Sequence, residues 1–120
     1  MLRIAGKPAE AERLYSEALP GLESKLGKGH ANTASARLGR GRSLADLNRL
    51  AEAERELTEA ERALSSAPGV PATKHRECLE ALVALYDSWE KVEPGKGHDA
   101  RAAEWKAKLA AIKPVTPQKK

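Results

Sequence analysis

A five-residue word occurs twice in this chain, 42 positions apart: Ala9-Glu10-Ala11-Glu12-Arg13 returns as Ala51-Glu52-Ala53-Glu54-Arg55. The match runs on downstream, with Glu17-Ala18 answering Glu59-Ala60 and Leu22 answering Leu64. A fixed period of this order marks a stacked repeat array. In such an array each unit has an apolar face that only its neighbours can cover.

The units read as helices. Leu50, Ala53, Leu57, Ala60, Leu64 and Ala67 alternate spacings of three and four, which lays one apolar stripe along a helix. Ala11, Tyr15, Ala18 and Leu22 hold the same stripe in the earlier copy. Three more stripes run through Ala31, Ala34, Leu38, Gly41 and Ala45, through His75, Leu79, Leu82, Tyr86 and Trp89, and through Ala102, Trp105, Leu109 and Ile112. Breakers separate them: Gly27-Lys28-Gly29, Asn48-Arg49, Pro68-Gly69-Val70-Pro71 and Pro94-Gly95-Lys96-Gly97. The spacing predicts helices near 8–26, 31–47, 50–66, 72–91 and 99–112. Short connections make neighbours antiparallel. The expected fold is an all-α solenoid of helical hairpins over 1–112, followed by a disordered basic tail over 113–120.

Composition agrees. The apolar positions are mostly Ala and Leu, which favour helix, and the chain has no Phe. The formal net charge is +4, but Lys113, Lys119 and Lys120 lie in the tail. Taking these three from 21 basic residues leaves 18 against 17 acidic ones, a near-neutral body and not the basic patch of a nucleic-acid binder. Cys78 is the only cysteine, so no internal disulfide forms and a cytoplasmic setting is expected. No apolar run is long enough to span a membrane.

On these residues the chain resembles the tetratricopeptide repeat, in the 42-residue version found in kinesin light chains and many bacterial regulatory proteins. Leu26-Gly27-Lys28-Gly29-His30-Ala31-Asn32-Thr33-Ala34 is similar to the segment that leads into the first helix of a unit. Glu10-Ala11-Glu12 and Glu52-Ala53-Glu54 resemble the opening of the second. Residues 82–89 with 102–109 look like the last repeat of arrays that follow bacterial serine/threonine kinase domains. Arg40 departs from the pattern, standing where the family usually has a large apolar residue. Only seven residues precede Pro8, too few for the partner of the first helix, so the chain is expected to begin inside an array.

Catalytic readings fare badly. His30, His75 and His98 fall in or beside three different loops, without the pairing of metal ligands along a helix. His30 matches the family's loop histidine, which implies a turn-stabilising role. Gly27-Lys28-Gly29 and Gly95-Lys96-Gly97 lack the full phosphate-loop pattern. The glutamates of the third helix read as a solvated face. No enzyme and no cofactor is expected.

The resemblance implies a groove lined by the first helix of each unit, binding a peptide or partner protein. Position in the repeat assigns it Ser35, Gly39, Arg42 and Asp46 from one unit and Glu77, Glu80, Ala84 and Asp87 from the next. Arg42 is suited to a carboxylate of an incoming peptide. Arg37, Arg40, Arg42 and Arg49 suggest a positive wall, opposed by Glu77, Glu80, Asp87 and Glu90. The alternative is a structural segment that stacks on further repeats or self-associates, exposing Leu14, Tyr15, Ala18 and Leu22 at its first helix.

Overall fold

The computed structural model describes residues 7–27, 29–66 and 72–112. Five helices follow one another: α1 (Pro8–Leu26), α2 (Ala31–Asp46), α3 (Leu50–Ser66), α4 (Ala72–Val92) and α5 (His98–Ala111). Each lies within about two residues of its expected bounds, and no strand occurs among the described residues. The Pro68–Pro71 breaker and the tail over 113–120 lie outside the described residues.

The helix ends show why the chain stops where it does. Gly27 closes α1 at φ 95°, a backbone open to glycine, and its N–H donates to the Glu23 carbonyl. Asn48 follows α2 at φ 65°. Its N–H donates to Ala45 O, and the Arg49 N–H reaches back to Leu44 O at 2.9 Å. This double closure is a Schellman motif, with Asn in the left-handed position that glycine usually holds. His30 caps the start of α2, its Nδ1 accepting from the Asn32 N–H at 3.0 Å. The turn-stabilising role expected of His30 is therefore a specific capping bond.

Consecutive helices pack against each other, and α2 also touches α4. Their directions follow from side-chain partners. Late α1 meets early α2 where Thr33 Oγ1 reaches Leu22 O, and early α1 meets late α2 where Arg40 reaches Glu12. Down α3, the residues Glu61, Leu57 and Glu54 meet His75, Cys78 and Tyr86 of α4 in turn. Both pairs are antiparallel.

The main core runs from α2 to α5 and includes Leu38, Leu44, Leu57, Leu64, Leu79, Leu82, Leu85 and Tyr86. Ala11, Tyr15, Leu19 and Ala36 form a smaller cluster between α1 and α2. Here the stripe differs from expectation: Ala18 is exposed and Leu19 is buried. Tyr15 is buried too, rather than left open at the end of the array. Its seat is Gly39, where a Cβ would stand 2.2 Å from the ring Cζ. The missing side chain lets the ring lie directly on α2. Gly39→Val should therefore unseat Tyr15 and cost about 1–3 kcal/mol through overpacking, read as an earlier urea midpoint.

α5 is fastened to α4 by aromatic stacking. The imidazole of His98 is buried and lies 4.3 Å from the Trp89 ring, nearly parallel to it. Tyr86 donates to Glu54 Oε2 at 2.6 Å, and Arg101 reaches the same oxygen at 3.1 Å, so one carboxylate of α3 ties α4 and α5 together. Burial first, then the bond to Glu54, pushes the Tyr86 hydroxyl up to about 12.

Candidate functional site: the groove between α2 and α4

Two cavities lie between α2 and α4. The larger, of about 190 Å³, is lined by Arg42, Ala45 and Asp46 of α2, by Ala81, Ala84, Leu85 and Ser88 of α4, and floored by Leu57 of α3. The smaller, of about 20 Å³, is lined by Tyr15 of α1, by Ser35, Leu38, Gly39 and Arg42 of α2, and by Lys74 and Glu77 of α4. Early residues of α2 face early residues of α4, and late face late, so the two helices run parallel. That follows from two antiparallel steps, α2 to α3 and α3 to α4. The groove is thus a product of the hairpin repeat itself.

The side chains along it are spaced as one helical face. Ser35, Gly39, Arg42 and Asp46 recur at four, three and four, and Lys74, Glu77, Ala81, Ala84 and Ser88 at three, four, three and four. Ala81, Ala84 and Ser88 are small, and their shortness opens the larger cavity. Arg42 lines both cavities and stands at their junction. Six of the eight residues assigned from the repeat pattern, namely Ser35, Gly39, Arg42, Asp46, Glu77 and Ala84, fall on these linings. Glu80 and Asp87 are exposed on α4 but lie outside both, and Glu80 Oε2 is 3.9 Å from Arg76 of its own helix.

The expected positive wall is not there. Arg37 and Arg40 turn away from the groove into the junction of α1, α2 and α3. Arg37 pairs with Glu23 and, at 3.2 Å, with Glu56; Arg40 reaches Glu12 at 3.0 Å and Glu56 at 2.6 Å. Arg49 lies past the end of α2 and is held by Glu52 at 2.6 Å. That bond is the largest influence raising the Arg49 pKa and lowering that of Glu52. Of the four arginines, Arg42 alone stands in the groove, joined there by Lys74, which pairs with Glu77 at 3.5 Å.

The same network corrects the reading of α3. Glu56 is buried and accepts from two arginines, and Glu54 and Glu61 hold Tyr86 and His75. These glutamates are interior fasteners and not a solvated face. The signal that would have found them was Arg40, the cation in an apolar position, whose burial demands carboxylates on both neighbouring helices.

Burial by itself raises the Glu12 carboxyl; hydrogen bonds from Ser16 and Arg40 outweigh it and hold the group below its ordinary value of 4.5. A depressed carboxylate stabilises the fold above its unfolded value, and that share is lost as pH falls through the folded one. From about pH 5 down to about pH 3 the urea midpoint of the wild type should fall more steeply than that of Glu12→Gln, and a parallel pair of curves would refute it.

Cys78 is buried against the Leu57 carbonyl, and burial pushes its thiol up to about 12, which makes it a packing residue and not a nucleophile. Among the described residues no group of His, Cys, Asp and Glu is arranged to hold a metal ion. No helix among them is long and apolar enough to cross a membrane.

Stacked antiparallel helical hairpins define an all-α helical-repeat protein. A family model described as tetratricopeptide repeat matches residues 1–66, more than half of the chain. The chain belongs to the tetratricopeptide-repeat family. No curated protein and no solved structure matches it. Repeats of this family generally mediate protein–protein interaction and are typically not enzymes.

Proposed function

We propose that the chain binds an extended segment of a protein partner in the groove between α2 and α4, with Arg42 receiving a carboxylate. The observation that carries this reading is Arg42 itself. It is half-buried and it borders both cavities, whereas Arg37, Arg40 and Arg49 are held in ion pairs away from the groove. A guanidinium held in a groove favours a carboxylate through paired, charge-assisted bonds. The α2 face from Ser35 to Asp46 is about 16 Å long at about 1.5 Å per residue, room for about five residues of extended chain.

The 42-residue period and the likeness to kinase-associated repeat regions support a regulatory protein as the setting. The single, buried thiol suits a reducing compartment such as the cytoplasm.

The test is selection of binders from a random decapeptide library, followed by affinity measurement on two variants. Arg42→Glu should weaken a selected peptide at least tenfold, and raised salt should weaken it further. Arg62→Glu, on the exposed side of α3, should leave it unchanged. Affinity indifferent to Arg42→Glu would remove the groove from the mechanism.

A second reading has one observation in its favour. α5 packs chiefly against α4, with the Arg101–Glu54 pair its bond to α3, and Ala100, Ala103, Ala107 and Ala110 make an exposed stripe along it. That face suits a further helix or a second copy of the chain. Sedimentation over a wide concentration range decides it: a mass that stays monomeric rules out self-association.

A further inference from the structure

We infer that the open side of α1 is a docking face for an amphipathic helix supplied by a partner protein, and that this helix carries a large aliphatic residue opposite Leu14. The face is separate from the groove and does not depend on it.

The internal repeat supplies the argument. The 42-residue period places Leu14, Ala18, Gly21 and Leu22 of α1 at the positions of Glu56, Ala60, Ala63 and Leu64 in α3. On α3 all four are buried. On α1, Ala18 and Gly21 are exposed, and Leu14 and Leu22 are half-buried. The difference lies in the neighbour. α3 has α2 on this side: a Cβ at Gly41 would stand 3.4 Å from the Glu56 Cβ, and Arg37 and Arg40 reach the Glu56 carboxylate. α1 packs chiefly against α2, through Ala11, Tyr15 and Leu19, and a Cβ added at Gly21 would meet nothing within 4 Å. The four residues recur as one helical face. That face repeats, one unit earlier, the interface by which α2 covers α3.

The same register names the chemistry of the occupant. α3 presents a carboxylate at this point, and α2 answers it with two arginines. α1 presents Leu14 there. A guanidinium laid on hydrocarbon loses water and gains no counter-charge. The occupant therefore follows the small and aliphatic stripe of α2, namely Ala34, Leu38, Gly41 and Ala45, with an aliphatic residue where α2 has Arg40. The α2 of a second copy does not qualify: it carries Arg40, and its Ala34 and Leu38 are already buried in its own core.

The experiment uses the full chain, with Ala and Leu methyls labelled for NMR, and synthetic peptides of residues 30–48. These keep the His30 cap and the Asn48 closure of α2. Three forms are compared: the unchanged sequence, Arg40→Leu, and Arg42→Leu, which has the same composition with the leucine on another face. The Arg40→Leu peptide should shift the methyls of Leu14, Ala18 and Leu22 saturably, and the other two should bind roughly fivefold more weakly or worse. In a chain carrying Leu14→Glu the order should reverse, with the unchanged peptide the tighter, because that face then presents the carboxylate that α3 presents to α2. Ala18→Glu should abolish binding of the Arg40→Leu peptide; Gly21→Gln, placed in open space, blocks the same face should the first variant not fold. Equal binding of the three peptides, shifts at Ala81 and Ala84 with α1 unmoved, or an unchanged order in folded Leu14→Glu each overturns the proposal. So does a free chain whose self-association is abolished by Ala18→Glu, which makes a second copy the occupant, or one whose residues 1–6 respond to Ala18→Glu without peptide, which makes the chain its own. None of these outcomes touches the groove reading, which falls only if selected peptides ignore Arg42→Glu in the chain.

Discussion

Glu56→Ala should lower the unfolding free energy by about 3 kcal/mol, the lower end of the range for removing one partner of a buried pair. The carboxylate is buried, and it accepts from Arg37 at 3.2 Å and from Arg40 at 2.6 Å. Without it, both guanidiniums keep part of their burial and lose their shared counter-charge. Arg37 is affected more, because its Nε is already buried without a partner. Arg37 retains Glu23, and Arg40 retains Glu12 and some access to water, which sets the estimate at the low end. A domain of this kind has about 5–15 kcal/mol in hand, so the loss is a large fraction of the whole. Urea unfolding followed by circular dichroism measures it. Arg13→Ala breaks an exposed pair with Glu17 and should change stability by no more than about 0.5 kcal/mol. Equal effects of the two would mean that the interior network contributes no more than a surface pair.

Leu57→Ala should cost a similar amount, about 2–5 kcal/mol, for a different reason. Leu57 is fully buried in the core of α3, and its Cδ2 would lie 2.6 Å from a Cβ at Gly41, so α2 and α3 meet closely there. Truncation leaves a void that the close helix contact resists collapsing. The same side chain floors the groove, so the variant should also deepen the larger cavity. Stability and peptide affinity should then change together, and Leu82→Ala, buried but outside the cavity linings, should change stability alone. Thermal unfolding and peptide titration on the two variants separate these effects.

The helices were legible because their signals are local. Breakers such as Gly27 and Asn48 act through their own backbone conformation, and stripes such as Leu50 to Leu64 report burial through spacing alone. The groove positions were legible through the repeat, since a residue's place in a unit fixes the face it occupies. Direction of charge was not. Arg37 and Arg40 sit three residues apart on a helix whose groove face also carries Arg42, and a list of cations cannot say which ones turn inward. That depends on Glu12, Glu23 and Glu56, which stand on two other helices. The outward drift of Ala18 in favour of Leu19 has the same origin: the turn of α1 toward α2 is set by Tyr15 settling on Gly39, a contact between residues far apart in the chain.

The central claim is that a partner segment lies along the parallel faces of α2 and α4. Amide and methyl shift mapping of the full chain with a library-selected peptide tests it most directly. The account predicts that perturbed residues trace the groove, among them Ser35, Gly39, Arg42 and Ala45 on α2 and Glu77, Ala81, Ala84 and Ser88 on α4. Shifts confined to the outer faces of α3 and α5, at residues such as Arg55, Glu59, Arg62 and Lys106, with the groove unmoved, would contradict it.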